Sequence, residues 1–287
     1  MSRLVKRKKY GQVFVTFLTC ALLCSHCTQS NCRIPQDTLP PLYTIHGEEM
    51  NETFLANRYR IQGSIPFFRY QHNSDPVPFI NELVNSFLLN EKSKWEQSVS
   101  TNLHDDGLPY DASLWIDFET HYLSKERSSI QMFFSIDLGG AHPHEYSKAL
   151  NIDFTKKTIV NTKDLFLSQS DFLKSISTIA RSKLPQKLQN NQSTVDREWI
   201  LQGTEPILDN YQNVCITPNG LLVTFDPYQV ASYGDGLQSI EIPFSDLRNI
   251  IAFKPNPSAG LSYPSTSQIT CPSVSRTIVP SSCVVKM

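Results

Sequence analysis

The sequence predicts an α+β fold, an antiparallel sheet with helices packed on one face. Three observations carry this. Leu114, Ile116, Phe118 and Tyr122 alternate with Asp117, Glu119 and His121, and Ile130, Met132, Phe134, Ile136 and Leu138 alternate with Gln131, Ser135 and Asp137. Period-two runs of this kind mark strands with one buried and one wet face, as in an antiparallel sheet. Phe79, Leu83 and Phe87, with Ile80, Val84 and Leu88, recur instead at helical spacing. Strands and helices come in runs, without the regular βαβ alternation of a doubly wound sheet.

The elements follow in order. Folding is expected to begin near Leu42, and Phe54 to Tyr70 reads as short strand-like pieces interrupted by Gly63 and Pro66. Asp75 and Pro76 supply helix-start chemistry, and the apolar stripe then runs to Trp95, facing a sheet. Ser124 to Ser128 form the loop between the two alternating strands. A third strand over 149–154 passes through Thr155-Lys156-Lys157 into a fourth near Thr158 to Val160. A helix is predicted over 170–184, with Phe172, Ile176, Ile179 and Ala180 on one side, stopped by Pro185. Residues 186–194 read as a polar loop and Trp199-Ile200-Leu201 as a short helix. Val214 to Thr217 and Leu221 to Phe225 form a hairpin around Pro218-Asn219-Gly220, which supplies the fixed φ and the tolerance of positive φ that a tight turn uses. The last elements are a strand over 239–242 and a short helix over 245–250 capped by Ser245.

The chain has 287 residues, 40% hydrophobic and 18% charged, which suits a packed core and excludes a disordered coat. Its net charge of −1 is unevenly placed, with Arg3, Lys6, Arg7, Lys8 and Lys9 all in the first nine residues. Loss of those five cations takes the charge to −6, so the remainder has no general attraction to nucleic acid. Behind them runs Val13 to Leu23, apolar but about half the ~20 residues that a spanning helix needs. A basic start followed by a short apolar run is the pattern of a secretory signal.

Cys20, Cys24, Cys27 and Cys32 crowd the end of that run. A cysteine there resembles the lipidated residue of bacterial lipoproteins; Cys24 is the first candidate and Cys27 the second, although neither follows the usual small residue. Seven cysteines suit an exported chain. Cys271 and Cys283 lie in one Pro/Ser-rich tail, where they could close a small loop, and Cys215 in a strand-like run reads as a buried small hydrophobe. The chain thus divides into 1–27, a signal peptide with a lipoprotein-type alternative; 28–41, a tether; 42–135 and 136–253, the N- and C-terminal parts of an exported module; and 254–287, the tail.

Two segments carry most of the functional information. The first is Gly139-Gly140-Ala141-His142-Pro143, leading to Asn151-Ile152-Asp153-Phe154 and on to Asp164-Leu165-Phe166. The second is Pro227-Tyr228 through Ala231, Tyr233 and Gly236, followed by Ile242-Pro243-Phe244. With these blocks the chain from Leu42 to Phe253 resembles an extracytoplasmic domain of unknown function. That domain is found in the sensor region of an anti-sigma factor that serves as a lysozyme receptor, and beside peptidoglycan deacetylase domains. Lys156-Lys157 stands where the family has a glycine turn, and Ser232 and Gly234-Asp235 replace the usual residues around the second tyrosine. The resemblance implies a location in the bacterial cell envelope, either as a membrane-anchored lipoprotein or in the periplasm. The partners it implies are a lysozyme-like protein or peptidoglycan, and the leader cysteines add the membrane through a lipid anchor.

The motif residues Gly139, Gly140, Ala141, His142, Tyr228, Tyr233 and Gly236 are the candidate binding positions. His142 admits three readings. Two glycines permit a tight strand exit, where a histidine bonds a backbone carbonyl; this structural reading is favoured. With His144 and Glu145 nearby it could serve a transition metal, or it could act in catalysis or ligand binding. Tyr228 and Tyr233 either form a partner-binding patch or pack a loop onto the sheet. Asp105-Asp106-Gly107 lacks the rest of a calcium loop and reads as a turn. There is no G-x-S-x-G, H-E-x-x-H or phosphate-binding glycine loop. The expectation is a non-enzymatic envelope module that binds a lysozyme-like protein or a cell-wall ligand, with no cofactor, no metal and no nucleic acid. The alternatives are a cell-wall glycan hydrolase or deacetylase accessory, and a structural lipoprotein without a soluble ligand.

Overall fold

A computed structural model describes residues 42–54, 59–102 and 112–253. The leader, Cys24 and Cys27, the tether, the Asp105 turn and the Pro/Ser-rich tail with Cys271 and Cys283 lie outside the described residues.

Among the described residues, nine strands form two sheets, joined by four α-helices. The first sheet runs in the order β1 (Tyr43–Phe54), β2 (Tyr59–Tyr70), β3 (Ala112–Leu123), β4 (Arg127–Asp137), β5 (His144–Asp153) and β6 (Thr158–Val160). Its neighbours are antiparallel except β2 and β3, which are parallel and connected through α1 (Pro78–Asn102). The fold is therefore α+β, as predicted, with one crossover unit inside a mostly antiparallel sheet. The apolar stripe of α1 meets Leu114, Ile116, Ile130, Met132 and Leu150 in a core that also buries Trp95 and Phe68.

Phe54 to Tyr70 contains one long strand rather than interrupted pieces. The reason lies at Gly63, where φ is +140° and an added Cβ would come within 1.8 Å of the Ile116 carbonyl oxygen. The chain passes through this point by reversing its alternation. Tyr59 and Ile61 are buried before it, and Pro66 and Phe68 after it. Only glycine reaches this backbone at low cost. Pro66 is tolerated because β3 accompanies β2 only as far as Gly63, so one edge of β2 is open beyond it. Asn81 of α1 closes that edge, bonding both the N–H (2.8 Å) and the carbonyl (3.0 Å) of Phe68.

The second half builds a separate core. α2 (Phe172–Asn190), α3 (Arg197–Gly203), β7 (Val214–Ile216), β8 (Gly220–Phe225), β9 (Gln238–Pro243) and α4 (Phe244–Leu247) follow in order, and the three strands form a second sheet. Pro185 does not stop α2. The helix continues five residues past it because Leu184 and Leu188, on either side of the proline, are both fully buried. Their burial offsets a proline cost of about 3 kcal/mol. Residues 186–190 are thus helix rather than polar loop. α4 starts at Phe244, and Ser245 is not its cap: the Ser245 hydroxyl donates to the neighbouring Asp246 carboxylate at 3.0 Å.

The helices do not share one face of one sheet. α1 covers the first sheet, while α2 packs on the second, where Lys183 and Lys187 donate to the carbonyls of Glu241 and Ser239. The face of the first sheet opposite α1 is wet only in part. At its β4–β5 end it is covered by β7, and Ser129, Gln131, Ser147 and Asn151 are buried there. Ser129 donates to Asn151 Oδ1 (2.6 Å), Asn151 Nδ2 donates to the Val214 carbonyl (2.8 Å), and the Ile216 N–H donates to Ser129 Oγ (2.8 Å). Two side chains of one sheet thereby satisfy the open edge of the other, groups that would otherwise be buried without partners.

Candidate functional site

The two motif blocks meet. Gly139 leaves β4 at φ +79°, and its N–H donates to the Asp137 carboxylate at 2.8 Å. That turn leads through the exposed Gly140 and Ala141 to His142, at the head of β5. The second block leaves β8 at Asp226 and turns back at Gly236, whose φ is +65° and whose N–H donates to the Tyr233 carbonyl at 2.9 Å. His142 stacks on Tyr233, with ring centroids 3.9 Å apart at 23°. The Tyr233 hydroxyl donates to the Pro143 carbonyl at 2.9 Å. Nδ1 of His142 lies 2.9 Å from that same carbonyl and Nε2 lies 3.3 Å from the Tyr228 hydroxyl. A carbonyl only accepts, so Nδ1 carries a proton and donates to it, while Nε2 faces the Tyr228 hydroxyl. Tyr228 and Tyr233 complete the cluster at 5.6 Å between centroids.

Tyr228 is an unusual residue. Its φ is +69°, a left-handed conformation that costs a bulky side chain about 1–2 kcal/mol. The residue is 54% exposed. The conformation is held from outside the loop, because the indole Nε1 of Trp199 on α3 donates to the Tyr228 carbonyl at 2.7 Å. Gln229 adds a second anchor, its side-chain nitrogen reaching the carbonyls of Gly203 (3.1 Å) and Asn210 (3.0 Å). Asp235 fastens the far end by accepting from the Ser232 N–H and hydroxyl; a bond from Ser193, followed by those from Ser232, holds its carboxyl below the usual range. The departures around the second tyrosine are therefore a local clasp.

Two carboxyl groups lie beneath the cluster. Burial pushes the Glu145 carboxyl up; His142, His144 and the Tyr233 hydroxyl act the other way and only partly offset it. Asp226 is pushed up by burial as well, against two hydrogen bonds from Ser147 and the nearby Lys148 and His144. Among the described residues no group of three or more His, Cys, Asp or Glu side chains is placed to hold a metal ion.

The structure therefore brings His142, Tyr228 and Tyr233 into one contact set, with Gly139 and Gly236 as the turns that aim them. Gly140 and Ala141 lie on the exposed rim. Sequence reasoning missed Trp199 and Asp226. Trp199 carried no signal linking it to a loop 29 residues away. Asp226 immediately precedes the second block, where a carboxylate next to a proline reads as turn chemistry.

Residues 163–245 match the family described as protein of unknown function DUF3298. The DUF3298 match covers the second motif block, while His142 and the first sheet precede it. The chain is 30% identical over 136 residues to the peptidoglycan-N-acetylmuramic acid deacetylase PdaC of Bacillus subtilis (strain 168). That stretch is 47% of this chain, and it spans only 28% of the length of the enzyme. A DUF3298 family protein from Pseudomonas aeruginosa PAO1 shares the fold, with a TM-score of 0.53 at 16% identity over 78% of this chain and 99% of that one. A DUF3298 family member from Bacteroides fragilis NCTC 9343 gives 0.48 at 14% identity, over 76% and 96%. The resemblance to a domain of unknown function found beside peptidoglycan deacetylases is borne out.

Proposed function

We propose that this chain is an exported, non-enzymatic binding module of the bacterial cell envelope, whose ligand is a cell-wall component or a lysozyme-like protein. The observation that carries the reading is the convergence of both motif blocks on one aromatic junction, braced in advance by Trp199 and Gln229. A pre-set loop of this kind lowers the ordering cost of binding. The imidazole nitrogens and the Tyr233 hydroxyl are occupied by protein partners, so the junction offers ring faces rather than a poised nucleophile. The basic, apolar leader and the similarity to a peptidoglycan deacetylase support an extracytoplasmic setting. Lipid attachment at Cys24 or Cys27 belongs to the same proposal.

Two measurements test it. Mass spectrometry of the N-terminus of protein from an exporting host should show a processed leader. The same protein should be retained by peptidoglycan sacculi or by immobilised lysozyme; retention by neither removes the reading. A second reading rests on Glu145, a carboxyl kept protonated more readily than usual beside His142, which is the state a general acid needs. Measurable glycan hydrolysis or deacetylation that Glu145→Gln abolishes would favour it.

A further inference from the structure

Tyr228 combines three properties that packing alone does not require. It is the one bulky aromatic among the described residues held at positive φ. The residue is more than half exposed, so the strained backbone gains little burial in return. And its carbonyl is bonded by an indole from another element, which fixes the direction in which the ring leaves the chain. Strain held in place by neighbouring structure marks positions where a side chain is being presented. If the ring served only to cover the sheet, a relaxed conformation with deeper burial would do better.

The surroundings define what is presented. Gly140 and Ala141 on one loop, and Ser232 and Gly234 on the other, are small and exposed. The polar groups at the edge are the Tyr228 hydroxyl, the His142 imidazole and, beside Tyr233, the half-buried Glu145 carboxyl. One flat aromatic face bordered by directional hydrogen-bonding groups suits a pyranose ring. The face of a sugar carries weakly positive C–H groups that lie well on the negative face of an aromatic ring, and its rim carries hydroxyls that need partners. A protein partner fits less well, because a stable interface covers about 800 Å² per side, whereas this junction offers one large ring among small residues.

We propose that Tyr228 is the stacking face for one pyranose unit of a glycan, with Glu145 bonding the rim of that sugar. This rests on the envelope-binding reading and names the ligand class for it.

The test is a titration of the purified full chain, from an exporting host, with N-acetylglucosamine tetramer, followed by backbone amide shifts and by calorimetry. Binding is expected, with the largest shifts at residues 142, 145, 228 and 233. Tyr228→Gly should weaken it at least about tenfold, the loss expected for removing one aromatic stacking partner. The same variant should melt at an unchanged or higher temperature, because glycine relieves the positive φ. Tyr228→Phe keeps the ring and should remain within about threefold of the parent. Three results overturn the inference: shifts centred elsewhere, equal affinity for Tyr228→Gly, or no binding of the tetramer. If the tetramer fails while lysozyme or sacculi are still retained, the glycan assignment falls and the envelope-binding module stands. If all three fail, both fall.

Discussion

Asp226, at the end of β8, accepts two hydrogen bonds from Ser147 of β5, through the backbone N–H at 2.8 Å and the hydroxyl at 3.0 Å. Seventy-nine residues separate the two. This contact sits directly behind the aromatic junction and ties the loop of one sheet to the strand that carries the other loop. Asp226→Ala would leave a fully buried N–H without its acceptor and should cost about 1–3 kcal/mol in urea melts. Asp226→Asn keeps an oxygen for both donors and should fold normally.

Asp226→Asn also separates from the parent by pH. The folded state raises this carboxyl above its usual 3.8, chiefly through burial. A raised acid favours folding when protonated, so its contribution is fully present below the unfolded value and is lost as pH rises through the folded one. Asp226→Asn cannot lose it. The advantage of the asparagine variant over the parent should therefore be larger at pH 7 than at pH 4. A constant gap across that range would mean that the carboxylate is not penalised in the fold.

Two glycines should respond very differently to alanine. A Cβ at Gly203 would lie 1.8 Å from the Gln229 carbonyl oxygen and 2.7 Å from its carbon, so backbone must move. Gly203→Ala should cost at least about 1–3 kcal/mol and loosen the brace on Tyr228. At Gly236 a Cβ meets nothing within 4 Å, and only the φ of +65° opposes it. Gly236→Ala should cost about 1–2 kcal/mol. Thermal melts of the pair give the comparison.

Pro185 lies inside α2 and removes a donor from the helical ladder. Pro185→Ala should stabilise the protein by about 1–3 kcal/mol, because Leu184 and Leu188 already hold the surrounding turns in place. A loss of stability would show that the ring itself packs.

Cys215 is buried, and burial pushes its thiol up to about 12. It should resist alkylation at pH 8 in the native protein and be labelled once urea unfolds it, as read by peptide mapping. Labelling under native conditions would reveal local opening of the second sheet.

Periodicity made much of this legible. The alternation of β3 and β4, the stripe of α1 and the Pro218-Asn219-Gly220 turn all follow from local rules, and all are present. What escaped depends on distant contacts. Gly63 looked like a break because sequence cannot show the Ile116 carbonyl waiting beside it. Pro185 looked like a stop because the burial of Leu188 is tertiary. The burial of Ser129 and Asn151 has no local signal, because nothing in their neighbours announces that a second sheet will lie over them. At the junction, both motif blocks were visible; before the matched region, Lys157 sits at a φ of +53°, a conformation that glycine adopts at less cost. The indole that steers Tyr228 was not visible, since its partner is a carbonyl without side-chain identity.

The hydroxyl–amide relay linking Ser129, Asn151 and β7 has a further effect. Oily layers can creep past one another; a layer pinned by three directed bonds is indexed, like a gear tooth in its slot. The spacing between the His142 loop and the Tyr228 loop is set by that index. Ser129→Ala, deep in the protein and touching neither loop, should therefore change how the two rings meet, and ligand affinity with it.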